Sequence, residues 1–85
     1  MNEALVILQE ECAEVSQIIS KIHRFGLESK PPTSNDKNID ILHKELGDML
    51  CMVKICVEKG ILNIDTLEKC IVEKEEKLKI WSNLS

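Results

Sequence analysis

Apolar residues recur at helical intervals along "ILQEECAEVSQII" (residues 7–19), and two of its three carboxylates, Glu11 and Glu14, sit among them. Leu5, Leu8, Cys12, Val15, Ile19 and Ile22 advance in alternating steps of three and four. That row predicts an amphipathic helix over residues 2–24 and marks its packing seam. Phe25-Gly26 ends it, glycine being suited to the left-handed position after a helix. Residues 26–37, "GLESKPPTSNDK", read as an exposed loop, with Asn35, Asp36 or Asn38 available to cap the next helix. That second helix runs from about residue 38 to 59 and stops at Gly60. Asn63 or Asp65 opens a third, with Asp65 and Glu68 at capping-box spacing. Ile64, Leu67, Ile71, Leu78 and Trp81 supply its apolar face. No segment alternates as a strand does. The expected architecture is all-α: a three-helix subunit with two long antiparallel helices, completed to a four-helix-bundle-like core by another copy.

Glu11 and Glu14 lie about 60° apart on the first helix, flanked by Ile7 and Ile18, with Glu10 further round towards solvent. A shift of thirty-four positions places Ile7, Leu8, Glu11, Glu14, Val15, Ile18 and Ile19 on Ile41, Leu42, Glu45, Asp48, Met49, Met52 and Val53. The acid-in-apolar pattern therefore occurs twice. If the two helices pack antiparallel through these faces, four carboxylates converge around an approximate two-fold axis. Such a cluster raises the pKa of its own members, and burial raises it further. A divalent cation reverses that logic, and hard oxygen ligands suit Mg²⁺, with Mn²⁺ as a substitute. Gly47, a costly mid-helix residue, fits a close backbone approach. Taken singly, each acidic pair reads first as a solvated helix face; the matching register is what favours a metal.

Eighty-five residues make one small domain. The 44% hydrophobic and 31% charged fractions are those of a soluble globular chain. No apolar run reaches membrane-spanning length and the acidic start is unlike a signal peptide, so a cytoplasmic location is expected. A net charge of −4 argues against duplex nucleic acid, which needs a basic face, but not against a single nucleotide held through a cation. With only Phe25 and Trp81 as aromatic residues, a stacking platform for a strand is not expected. Of the four cysteines, Cys12, Cys56 and Cys70 occupy apolar or near-apolar positions, expected to be small core residues; no C-x-x-C pair occurs and Cys51 completes the set.

Glu10-Glu11-x-x-Glu14 followed by Glu45-x-x-Asp48 resembles the EExxE…ExxD signature of the MazG-like nucleoside triphosphate pyrophosphohydrolases. That all-α superfamily also holds dimeric dUTPases and phosphoribosyl-ATP pyrophosphohydrolases. "KIHRFG" is similar to segments found there, and the likeness covers most of residues 3–80. The resemblance implies one MazG-like helical domain over residues 1–85, which cleaves (d)NTP between the α- and β-phosphates to (d)NMP and pyrophosphate. By motif position Glu11, Glu14, Glu45 and Asp48 would bind Mg²⁺. Glu10 and Glu11 are the catalytic candidates, Glu10 as an accessory acid orienting water or a second metal. Lys21, Arg24, Lys74, Lys77 and Trp81 are the substrate-binding candidates, and Lys30 and Lys37 are candidates to close over the substrate.

The third helix departs from the pattern in lacking an arginine. Its Lys69, Lys74 and Lys77 read equally as a solvated face with Glu73–Lys77 and Glu75–Lys79 pairs. The chain is short for the family, which implies that a homodimer or homotetramer completes the pocket. Two rivals stand beside this reading. A carboxylate-bridged di-metal bundle needs Glu-x-x-His pairs, and only Asp40-x-x-His43 occurs, away from the acidic arc. The other is a non-enzymatic helical oligomerisation or regulatory module.

Overall fold

The computed structural model describes residues 2–84, and among these all regular structure is helical: α1 (Glu3–Phe25), α2 (Asn38–Glu58) and α3 (Ile64–Trp81). The chain divides within α2 into two compact units, one ending at Ile55 and the other starting at Cys56. None of the described helices is long and apolar enough to cross a membrane.

In the first unit, Asn2 caps α1, its side-chain oxygen accepting from the N–H groups of Ala4 (3.0 Å) and Leu5 (3.5 Å). At the other end the Gly26 N–H donates to the Ile22 carbonyl at 2.8 Å. Gly26 has the expected positive φ, 92°, but its ψ of 163° is extended rather than left-handed helical. That region is essentially restricted to glycine. The loop then folds back on the start of α2. Asn38 and Ile39 donate their backbone N–H groups to the carbonyls of Ser29 (2.8 Å) and Leu27 (3.0 Å). The Asn38 side-chain amide donates to the Gly26 carbonyl at 3.0 Å.

None of the three residues expected to cap α2 does so. Lys37 supplies the capping carbonyl, accepting from Asp40 and Ile41, and the Asp40 carboxylate reaches back to the Lys37 N–H at 3.2 Å. This is the returning half of a capping box, without its usual Ser or Thr.

The seam of α1 is rotated from the expected row. Ala4, Val15 and Ile18 are buried and Leu8, Glu11 and Ile22 half-buried. Leu5 and Ile19 remain 43% and 39% exposed, and Cys12 is exposed. Both rows share Leu8, Val15 and Ile22, because the apolar stripe is wider than one neighbouring helix covers. The flank left buried is the one that carries Glu11.

In the second unit α2 ends in a Schellman arrangement. Gly60, at φ 76°, donates to the Val57 carbonyl and Ile61 donates to that of Cys56. Cys56 is fully buried, as expected, whereas Cys51 and Cys70 are exposed, and all four cysteines are unpaired. Asn63 caps α3, accepting from the Thr66 N–H at 2.9 Å, so the Asp65–Glu68 box is not used. No α3 residue is buried; Leu67 and Leu78 are half-buried, while Ile64, Ile71 and Trp81 are exposed, Trp81 by 80%. The apolar face expected of α3 thus lies largely uncovered. Its ion pair is Glu76–Lys79 at 3.1 Å, in place of the Glu73–Lys77 and Glu75–Lys79 pairs expected from spacing.

Gly47 does not mark a close approach: it is exposed, and a Cβ added there meets nothing within 4 Å. Gly47→Ala should therefore raise stability by about 0.5–1 kcal/mol through helix propensity alone, read from denaturant midpoints. A loss of stability would mean that another surface packs on this turn.

Candidate metal centre

The two acidic segments meet within the first unit, and the meeting follows one antiparallel register. The charge of Asp48 reaches Glu11, and Glu45 lies against Glu14. Further along, Ile18 and Ile41 line one cavity and Lys21 and Asn38 another. As the residue number rises on α1 it falls equally on α2. The thirty-four-residue correspondence exchanges the Glu14–Glu45 contact with the Asp48–Glu11 approach. The internal two-fold relation expected from the repeated pattern is thus present in the helix pair.

Three of the four expected ligands come together. Glu11, Glu14 and Glu45 each offer a carboxylate oxygen, and these lie within 4.8 Å of one another. Glu14 is exposed, while Glu11 and Glu45 are half-buried. One oxygen of each half-buried carboxylate, Oε2 in both cases, is shut off from solvent with no hydrogen-bond partner. Asp48 is exposed and stands outside this group, although its charge acts on both Glu11 and Glu45.

The cluster resists full ionisation. Burial is the largest influence lifting the Glu11 carboxyl above the ordinary range, followed by the charges of Glu14 and Asp48, a hydrogen bond with Glu14, and the charge of Glu10. Glu45 is lifted first by a hydrogen bond with Glu14, then by burial and the charges of Glu14 and Asp48, with Lys44 opposing. Two ionised carboxylates contain no donor, so either bond exists only while the pair shares a proton.

The donor set fits a hard divalent cation. Mg²⁺ bonds of about 2.0–2.1 Å place oxygens across an octahedron about 4.2 Å apart. Adjacent oxygens of that octahedron are only about 2.9 Å apart, so three oxygens lying within 4.8 Å of one another would close inward to share one ion. No histidine is part of the acidic group; the His43 ring bonds the Ile39 carbonyl on its own helix through Nδ1 at 3.0 Å.

A shallow cavity of about 230 Å³ adjoins the acids, lined by Glu14, Gln17, Ile18, Lys21, Ile41 and Glu45. Lys21 is therefore beside the acidic group. Gln17 was not among the expected site residues, though its place between Glu14 and Lys21 at helical spacing makes it legible. Glu10 is exposed, and its charge is the weakest of the influences on Glu11. The Arg24 guanidinium lies over the Phe25 ring, 5.4 Å from its centroid. Lys37 pairs with Glu28 at 2.7 Å, and Lys30 lines a second cavity. Lys74, Lys77 and Trp81 are exposed on α3, in the other unit.

Compared with protein-family models, with curated proteins and with solved structures, the chain finds no match in any of the three.

The raised carboxyls give stability a definite pH sign. Without divalent cations the folded chain holds protons at Glu11 and Glu45 that the unfolded chain releases above the ordinary glutamate pKa of about 4.3. Their contribution is full below that pH and is lost as pH rises through the raised folded values. Thermal unfolding should show Glu45→Gln weakening this fall relative to the parent chain. At about pH 7, Mg²⁺ should raise the parent midpoint more than that of the variant. Identical pH profiles and no response to Mg²⁺ would contradict the site.

Proposed function

We propose that the chain is a Mg²⁺-dependent nucleotide pyrophosphohydrolase that cleaves (d)NTP between the α- and β-phosphates to give (d)NMP and pyrophosphate. The observation that carries this reading is that Glu11 and Glu45, on two helices, each bury an unpartnered carboxylate oxygen and form one acidic group with Glu14. The EExxE…ExxD spacing adds the resemblance to the MazG-like enzymes. Glu11, Glu14 and Glu45 would hold the cation, with Asp48 as a fourth acid whose charge reaches Glu11 and Glu45. When bound, the cation neutralises phosphate oxygens and the charge that develops on the pyrophosphate leaving group.

Water oxygen bonds to the α-phosphorus while the bond from that phosphorus to the bridging oxygen breaks, and its electron pair leaves with pyrophosphate. Glu10, next to Glu11 and open to solvent, orients the water and receives its proton. Lys21 takes a phosphate oxygen from the wall it shares with Glu14 and Glu45. Arg24, one turn on, adds positive charge on the Lys21 side of the acids.

Lys74, Lys77 and Trp81 act from a second copy in a homodimer or homotetramer. The exposed Ile71, Val72, Ile80 and Trp81 of α3 support such a partner. The same surface favours a second reading, a non-enzymatic helical oligomerisation module. The cytoplasm, where Mg²⁺-bound nucleotides are available, is the proposed location.

A panel of NTPs and dNTPs with Mg²⁺ or Mn²⁺ should yield NMP and pyrophosphate. Glu14→Gln should lower kcat at least on the order of 10–100-fold while circular dichroism stays helical. Release of NDP and phosphate would reject attack at the α-phosphorus. No turnover across the panel, with Glu14→Gln indistinguishable from the parent chain, would put the oligomerisation module ahead.

A further inference from the structure

A cavity of about 510 Å³ lies where α1 ends and its loop turns back, with Lys21, Phe25, Lys30, Pro31, Thr33 and Asn38 among its walls. This is within the roughly 300–1,000 Å³ of small-molecule sites. Among the described residues no carboxylate lines it, and two lysines do. Phe25, 63% exposed, and Pro31 offer flat apolar surfaces.

Asn38 gives the cavity a polar direction. It is only 2% exposed, and its amide donates to the Gly26 carbonyl. A carbonyl accepts only from a donor, so the nitrogen must face Gly26 and the side-chain orientation is fixed. Its oxygen, Oδ1, is buried and has no partner. Asn38 is one of the cavity's walls, so an unmet acceptor that needs an N–H or O–H lies within that wall. Lys21 also lines the smaller cavity beside Glu14 and Glu45, so the two share a wall.

We infer that this cavity receives the base of the nucleotide: the ring lies against Phe25 and Pro31, and an exocyclic amino group of the base donates to Asn38 Oδ1. The inference rests on the pyrophosphohydrolase reading for the identity of the ligand. The polyphosphate runs past Lys21 towards the acidic cluster, and Lys30 adds positive charge on the loop side. Because Oδ1 is closed off from solvent, the ring reaches it as the loop around Pro31 yields. Amino-bearing bases are favoured over uracil and thymine. The single ring N–H of the latter is flanked by two carbonyl oxygens, which would face Oδ1 with like partial charge.

The test uses nucleosides, which carry no phosphate, in buffer without divalent metal, so that the acidic cluster takes no part. Cytidine and adenosine should shift the backbone amide resonances of Phe25, Lys30, Thr33 and Asn38 at lower concentration than uridine. Phe25→Ala changes an exposed residue; with helical circular dichroism retained, it should weaken cytidine binding roughly five-fold or more. Equal response to cytidine and uridine would overturn the role given to Asn38. Unmoved resonances in a chain that hydrolyses NTP would overturn the base site and leave the catalytic reading intact. Resonances that move in a chain with no turnover would support the ring site and reject the hydrolase.

Discussion

Mutual repulsion among Glu11, Glu14 and Glu45 is the constraint around which the first unit is organised. Their oxygens lie within 4.8 Å of one another, and two buried oxygens have no partner. Carboxylates in a helix seam oppose the packing that surrounds them unless a proton or a cation intervenes. Ala4, Val15 and Ile18 of α1 are buried around this repulsion. Apolar burial fixes the register, and the register brings the charges together. The same two-fold relation that repeats the sequence pattern places one acidic pair opposite the other.

Asn38 connects this register to the loop. Its backbone N–H and its side-chain amide bind Ser29 and Gly26, tying the end of α1 to the start of α2. Fixing that corner determines which turns of the two helices face each other further along. It also leaves one amide oxygen unsatisfied at a cavity adjoining the acidic site. In the proposed base site, structural support and ligand recognition fall to opposite ends of one side chain.

Helix number, the stops at Gly26 and Gly60, and the arc shared by Glu11 and Glu14 were legible because each depends on local spacing or local backbone conformation. The seam of α1 was not, because its apolar stripe is wider than one neighbour; only the approach of α2 selects Ala4 and Ile18 over Leu5 and Ile19. Asn38 looked like a cap, and its bonds to residues nine and twelve positions earlier leave no periodic trace. Gly47 looked like a contact and is open. On α3 spacing identified an apolar face but not what covers it, since none of Ile64, Ile71 or Trp81 is buried. Within the acidic site, periodicity placed four carboxylates on two facing arcs, but side-chain reach brings only three into one group.

The central claim is that these three carboxylates share one cation, and Mn²⁺ tests it most directly because its unpaired electrons broaden nearby nuclear resonances. At substoichiometric Mn²⁺, broadening should centre on Glu11, Glu14 and Glu45, and Mg²⁺ in excess should reverse it. Broadening spread evenly over the acidic residues, and unchanged in Glu14→Gln, would contradict the claim.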